Sequence, residues 1–212
     1  MSIEGYLPAE HQLLVMEKEL RNEGFSFVAG VDEAGRGPLA GPVVAAAVIF
    51  LDYTKVPQVF DSKQLKEKTR DELFELLTHS DDIIYAFAEV DNNEIDRINI
   101  LQATYLAMRT AVDKLSQKPD FVLIDGNPVK SMHYPNKSVV KGDAKCAAIS
   151  AASIIAKVHR DRLMCKYAEL YPEYGFEIHK GYGTKAHYAA LTEHGPCAIH
   201  RMSFLKKFYG EK

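Results

Sequence analysis

Apolar residues recur every three to four positions through residues 8–23, with Leu13, Leu14, Met16 and Leu20 on one side. That spacing predicts an amphipathic helix, and Gly24 is its natural stop. The pattern then changes. Phe27-Val28-Ala29-Gly30-Val31 is an unbroken apolar run that predicts a strand over 26–32, and residues 43–50 (Val-Val-Ala-Ala-Ala-Val-Ile-Phe) predict a second. Only ten residues separate the two, too few for a helical crossover, so antiparallel pairing is expected. Asp61-Ser62 is expected to cap a helix running to about Leu77, and β-branched and aromatic residues predict a third strand over 83–90. A helix over 100–115 carries Leu101, Tyr105, Met108, Val112 and Leu115 on one face. Residues 121–124 are apolar on both faces, as in a covered central strand, and end at Asp125-Gly126. A short extended segment at 138–140 follows, then a long helix from Asp143 to about Leu170 and a last one over 184–194, stopped by Gly195.

This order predicts an α/β fold: a mixed sheet with helices on both faces and a short helical C-terminal appendage. No repeat, low-complexity tract or linker divides the 212 residues, so one domain is expected, with a core over about 26–170 and a small helical part over about 171–212. A hydrophobic content of 47% excludes wholesale disorder. No apolar run approaches the roughly 18 residues of a membrane span, and the N-terminal residues lack the basic-then-apolar pattern of a signal peptide. Cys146, Cys165 and Cys197 form no Cys-x-x-Cys pair, so reduced, buried or half-buried thiols in a cytoplasmic protein are expected. With no exposed apolar stripe evident, the expectation is a monomer. The net charge of −3 hides a split. Residues 1–125 hold 12 Lys and Arg against 22 Asp and Glu, a balance of −10, and residues 126–212 hold 14 against 7, a balance of +7. Such a split suits an enzyme that gathers cations at one spot and a polyanion around it, although chance segregation of surface charge gives the same numbers.

The chemistry concentrates where the first strand ends. Asp32 and Glu33 run into Ala34-Gly35-Arg36-Gly37-Pro38, which sets hard oxygen ligands beside exposed backbone N–H groups and an arginine. Gly35 to Ala40 also fits the letters of a dinucleotide-binding fingerprint. That motif requires a helix directly afterwards, and the strand pattern of 43–50 refuses it. Asp125 ends another strand and Asp143 follows Lys141-Gly142, so four acids distant in sequence can converge at one sheet edge. Together they would repel one another unless divalent cations intervened. Taken singly, Asp125-Gly126 reads as a common turn and Asp143 as a helix cap. Asp32-Glu33 is harder to explain by packing.

The whole series of motifs resembles ribonuclease HII, the bacterial type 2 ribonuclease H, from about Phe27 to Phe204. It comprises Val28-Ala29-Gly30-Val31-Asp32-Glu33-Ala34-Gly35-Arg36-Gly37, Asp61-Ser62-Lys63, Ile124-Asp125-Gly126, Lys141-Gly142-Asp143, Ala151-Ala152-Ser153-Ile154-Ile155-Ala156-Lys157, Lys180-Gly181-Tyr182-Gly183-Thr184 and His200-Arg201-Met202-Ser203-Phe204. The resemblance implies a ribonuclease H-like fold with a five-stranded mixed sheet. It implies hydrolysis of the RNA strand of RNA–DNA hybrids, and incision 5′ of single ribonucleotides in duplex DNA, as in ribonucleotide excision repair. The partner is then nucleic acid and the cofactor two Mg²⁺ or Mn²⁺ ions. Asp32, Glu33, Asp125 and Asp143 match the family's catalytic, metal-binding acids. Gly35, Arg36 and Gly37 match the turn that reads the 2′-hydroxyl, Tyr182 a ring that stacks on the following deoxyribose, and Lys63 a lysine near the substrate phosphate. The longer C-terminal helical extension of some relatives is cut to about residues 205–212, so duplex affinity is expected to rest on core residues such as Lys145, Lys157, Arg160 and Lys180. Two other readings stay open from the residues alone: a non-catalytic nucleic-acid-binding module and a nucleotide-phosphate enzyme.

Overall fold

The computed structural model describes residues 5–8, 10–59 and 65–210. The elements run α1 (Val15–Asn22), β1 (Val28–Ala34), β2 (Val43–Phe50), α2 (Glu67–Thr78), β3 (Ile83–Val90), α3 (Asn92–Ile98), α4 (Ile100–Lys114), β4 (Phe121–Asp125), β5 (Asn136–Val139), α5 (Ala147–Leu170), α6 (Phe176–His179), α7 (Lys185–His194) and α8 (Met202–Leu205). The five strands form one sheet in the order β3-β2-β1-β4-β5. β1 and β2 pair antiparallel, as the short connection requires, and so do β2 and β3, whereas β1–β4 and β4–β5 are parallel. The sheet is therefore mixed, as expected.

Every residue of β2 is buried, because helices cover both faces of the sheet. Val44, Ala46, Val48 and Phe50 pack into the layer that holds α5, and Val43, Ala45, Ala47 and Ile49 into the layer that holds α4. This is the strand alternation of period two. The alanine run keeps both layers close, and at Gly30 of β1 the approach is closest. A Cβ there would stand 2.2 Å from the backbone carbon of Ala148 and 2.3 Å from the nitrogen of Ile149. Only glycine admits α5 at that distance.

The first helix is shorter than its apolar period suggested. A 3₁₀ turn over Gln12–Leu14, where the His11 imidazole accepts from the Leu13 N–H, precedes α1. The expected Asp61-Ser62 cap lies outside the described residues, and α2 begins only at Glu67. α3 was not anticipated: Asp91 caps it by accepting from Glu94 N–H, and Asn99, at φ +66, breaks it from α4 and caps that helix in turn. Asp143 does not open the long helix. It belongs to a separate 3₁₀ turn, Gly142–Ala144, and α5 starts at Ala147. The reason is distant in sequence: the buried Glu17 carboxylate of α1 accepts from the Ala148 N–H (3.0 Å) and the Cys146 thiol (3.1 Å). An anion there meets the positive end of the α5 dipole. Cys146 is buried and Cys165 and Cys197 are partly so, all three free. Among the described residues no helix is long and apolar enough to cross a membrane.

Candidate active site at the sheet edge

The parallel register brings two of the acids together. β1 and β4 pair through Val31 and Ile124, so Asp32 and Asp125 each stand one position beyond the last paired residues. Glu33 follows directly as the strand runs out at Ala34. All three line a cleft of about 460 Å³ together with Ala34, Gly35, Arg36, Gly37, Arg70, Ser153, Lys157, Arg160 and Tyr182. Asp143 is not among these lining residues. It is buried on the turn beside Asp125, whose Oδ1 accepts from the Gly142 N–H at 2.6 Å. The structure thus brings three of the four acids into one cleft and places the fourth next to it. Lys63 lies outside the described residues.

The electrostatics of the cleft are those of crowded acids. Asp32 is only 4% exposed. Burial first, then the charges of Glu33 and Asp125, hold its carboxyl well above the usual carboxylate range, against hydrogen bonds from Ser153 and from the Glu33 N–H at 2.7 Å. Glu33 is also raised by burial, while Arg36 pulls it back through a 3.1 Å ion pair. Mutual repulsion between hard oxygen donors in an open cleft is what a divalent cation relieves, so the donor set fits a hard divalent cation. Among the described residues no three Asp, Glu, His or Cys side chains are already gathered as a ligand cluster.

Opposite the acids the wall is basic and glycine-rich. Tyr182 is 45% exposed, on a loop where Lys180 (φ +51) and Gly181 (φ +84) take left-handed conformations. A Cβ on Gly37 would lie 3.6 Å from the Tyr182 ring, so ring and glycine turn face the cleft together. Lys157 pairs with Asp161 at 2.7 Å, and Arg70 comes from α2. Ser153 and Arg70 carry no assigned chemistry in the sequence, because only the packing of α5 and α2 shows which of their faces meets the cleft, whereas Lys157, expected among the duplex-binding residues, lines it. Arg160 departs from expectation. Its guanidinium is buried and donates to the carbonyls of Ala40, Pro42 and Lys180, so it holds loops rather than duplex. No histidine lines the cleft.

The chain is similar to known proteins over most of its length. The family described as Ribonuclease HII matches residues 29–207. A ribonuclease HII of Endomicrobium trichonymphae is 55% identical over 189 residues, 89% of this chain and 90% of the relative. Among solved structures, ribonuclease H2 from Pyrococcus horikoshii superposes with a TM-score of 0.71 at 29% identity, covering 88% of this chain and all of that one. A ribonuclease HII of Archaeoglobus fulgidus, solved as a complex with PCNA, gives 0.70 at 26% identity over 83% of this chain and 94% of that chain.

Proposed function

The chain belongs to the ribonuclease HII family, a family of metal-dependent endoribonucleases that cut the RNA strand of RNA–DNA hybrids, and on that footing we propose that its cleft also incises duplex DNA on the 5′ side of a single embedded ribonucleotide. The observation that carries this reading is the convergence of Asp32, Glu33 and Asp125 with the Gly35–Arg36–Gly37 turn and Tyr182 in one cleft.

In the proposed mechanism Asp32, Glu33, Asp125 and Asp143 hold two Mg²⁺ or Mn²⁺ ions. Bound there, the ions would supply Lewis-acid activation of a water and of the leaving 3′-oxygen, and the expected products carry 3′-hydroxyl and 5′-phosphate ends. The protein's own groups do the positioning. Ser153 and the Glu33 N–H fix the Asp32 carboxylate, and Arg36 fixes Glu33. The glycines at 35 and 37 let backbone approach the 2′-hydroxyl, the group that separates RNA from DNA. Tyr182 stacks on the next deoxyribose, and Lys157, Arg70 and, from the sequence resemblance alone, Lys63 meet neighbouring phosphates. The test is a duplex bearing one ribonucleotide, incubated with Mg²⁺ or with chelator. A single nick 5′ of the ribonucleotide, only with metal, is expected. Binding without cleavage under both conditions would leave a nucleic-acid-binding module instead.

A further inference from the structure

The turn that faces the cleft is held from beneath by one side chain. Arg201 is fully buried, at 0% exposure, and three of its guanidinium donors reach backbone carbonyls: Nη2 to Gly35 (2.6 Å), Nη1 to Arg36 (3.1 Å) and Nε to Gly41 (2.9 Å). The segment bearing it is itself pinned to the same loop. Gly41 N–H donates to the Ile199 carbonyl, Arg201 N–H to the Leu39 carbonyl, and Ala40 and His200 form an antiparallel bridge.

Peptide geometry turns these contacts into a direction. No peptide in the described residues is cis, and in a trans peptide the N–H points opposite to the C=O of the same plane. The carbonyls of Gly35 and Arg36 point at Arg201, so the N–H groups in those two planes, of Arg36 and Gly37, point away from it. Both residues line the cleft, and neither N–H has a partner within the described residues. Two adjacent donors are thereby aimed outward by a forked guanidinium, whose rigid geometry suits two consecutive acceptors.

Stability alone gives little reason for this arrangement. Among the described residues Arg201 makes no ion pair, and burial first, then the charge of Arg160, whose own partners are the carbonyls of Ala40, Pro42 and Lys180, lower it to about 9. Two cations buried against neutral carbonyls cost more than an apolar filling of similar volume. Gly35 completes the device, since a Cβ there would sit 2.1 Å from the Arg160 Nε.

We propose that Arg201 is a positioning residue for ribonucleotide recognition, setting the peptide planes of the glycine turn so that the Arg36 and Gly37 N–H groups meet the ribose 2′-oxygen. This rests on the reading of the cleft given above. The experiment compares wild type with Arg201→Lys, which keeps the charge and loses the fork. kcat/KM is measured on a duplex with one ribonucleotide, alongside Kd for the all-DNA duplex of the same sequence and the melting temperature. Loss of one or two such hydrogen bonds predicts a fall in kcat/KM of about 10- to 100-fold. The all-DNA Kd should change by less than about threefold. In Arg201→Ala, low millimolar guanidinium should restore part of the lost rate. Variant rates equal to wild type overturn the proposal, as does an equal loss of DNA affinity and ribonucleotide cleavage. If the variants do not fold, the wild-type amide resonances of Arg36 and Gly37 decide. With Ca²⁺ in place of Mg²⁺, they must shift with the ribonucleotide duplex and not with all-DNA duplex; identical shifts overturn the proposal. Failure of wild type to nick the ribonucleotide duplex would instead remove the underlying reading.

Discussion

Asp32 is buried among like charges, and its position explains both a cost and a use. Replacing it with asparagine keeps the shape and removes the charge that Glu33 and Asp125 repel. Metal-free Asp32→Asn is therefore expected to melt at a higher temperature than metal-free wild type, while cleavage falls by at least about 100-fold. Wild type should gain about 2.7 kcal/mol from Mg²⁺ at 100 times its Kd, roughly 5–10 °C for a chain of this size. The variant should lose most of that gain, and an undiminished metal shift would remove Asp32 from the proposed ligand set. Tyr182 is tested by its ring. Tyr182→Phe should cut nearly as well as wild type, whereas Tyr182→Ala should lose about 10- to 100-fold, the worth of one stacking contact. Equal losses in the two would point to the hydroxyl. Asp32 and Glu33 were legible in the sequence because a charged pair directly after an apolar strand gains nothing from packing. Asp125 and Asp143 read singly as a turn and a cap and stood out only by their joint placement with that pair. The arginines were not legible. Arg160 read as a duplex contact and proved to be buried against carbonyls, and Arg201 carried no assigned role. The letter R does not distinguish a guanidinium in solvent from one that ties loops together.

β1 and α5 form the element pair on which the cleft depends, and Gly30 is their point of contact. Asp32 lies two residues further along β1 on the same face, and Ser153 lies one helical turn beyond Ile149, so any shift of α5 separates the hydroxyl from the carboxylate it supports. Gly30→Ala would drive a methyl into the Ala148 backbone, which cannot yield as a side chain can. The expected cost is about 1–3 kcal/mol of stability, read by denaturant melting, with a loss of cleavage larger than the stability loss explains. Normal activity in a folded Gly30→Ala protein would show that the helix position is not critical. At this scale the strands were the most legible part. The runs at 43–50 and 83–90 coincide with β2 and β3, because burial on a sheet writes itself directly into apolar residues. Helix starts were less so. The start of α5 is set by Glu17, 131 residues before Ala148, and no local pattern carries such a cap.

Across the whole molecule, the charge split becomes a surface on which acids and bases share one cleft, while the C-terminal part supplies a buried histidine chain that keeps the Tyr182 loop in place. His200 Nδ1 accepts from the Cys197 N–H, so its Nε2 carries the proton, donates to His187 Nε2 (2.9 Å), and leaves His187 Nδ1–H to donate to the Tyr182 carbonyl (2.9 Å). Each ring is satisfied only when neutral, because a proton added to the His187 Nε2 would face the His200 donor. Burial, then the neighbouring His187, lowers His200 to about 4, and burial lowers His187 as well. The sign follows from linkage. An unfolded histidine takes up its proton near pH 6.5 and folded His200 not until about pH 4, so its contribution is complete above roughly pH 6.5 and drains away as pH falls toward 4. The gap corresponds to about 3 kcal/mol. Buried Asp32 and half-buried Glu33 run the other way, since their raised values relieve repulsion as acid protonates them, and that opposing slope would mask the histidines in a simple melting profile. The comparison that isolates them is wild type against His200→Asn, both in chelator, at pH 7.5 and pH 4.5. The carboxylate contribution is common to the two proteins and cancels. Wild type should be the more stable at pH 7.5 by an amount that shrinks by about 2.5 kcal/mol at pH 4.5. A difference that does not change with pH would mean that the chain does not hold its neutral form, and that the Tyr182 loop is kept in place by its backbone bonds alone.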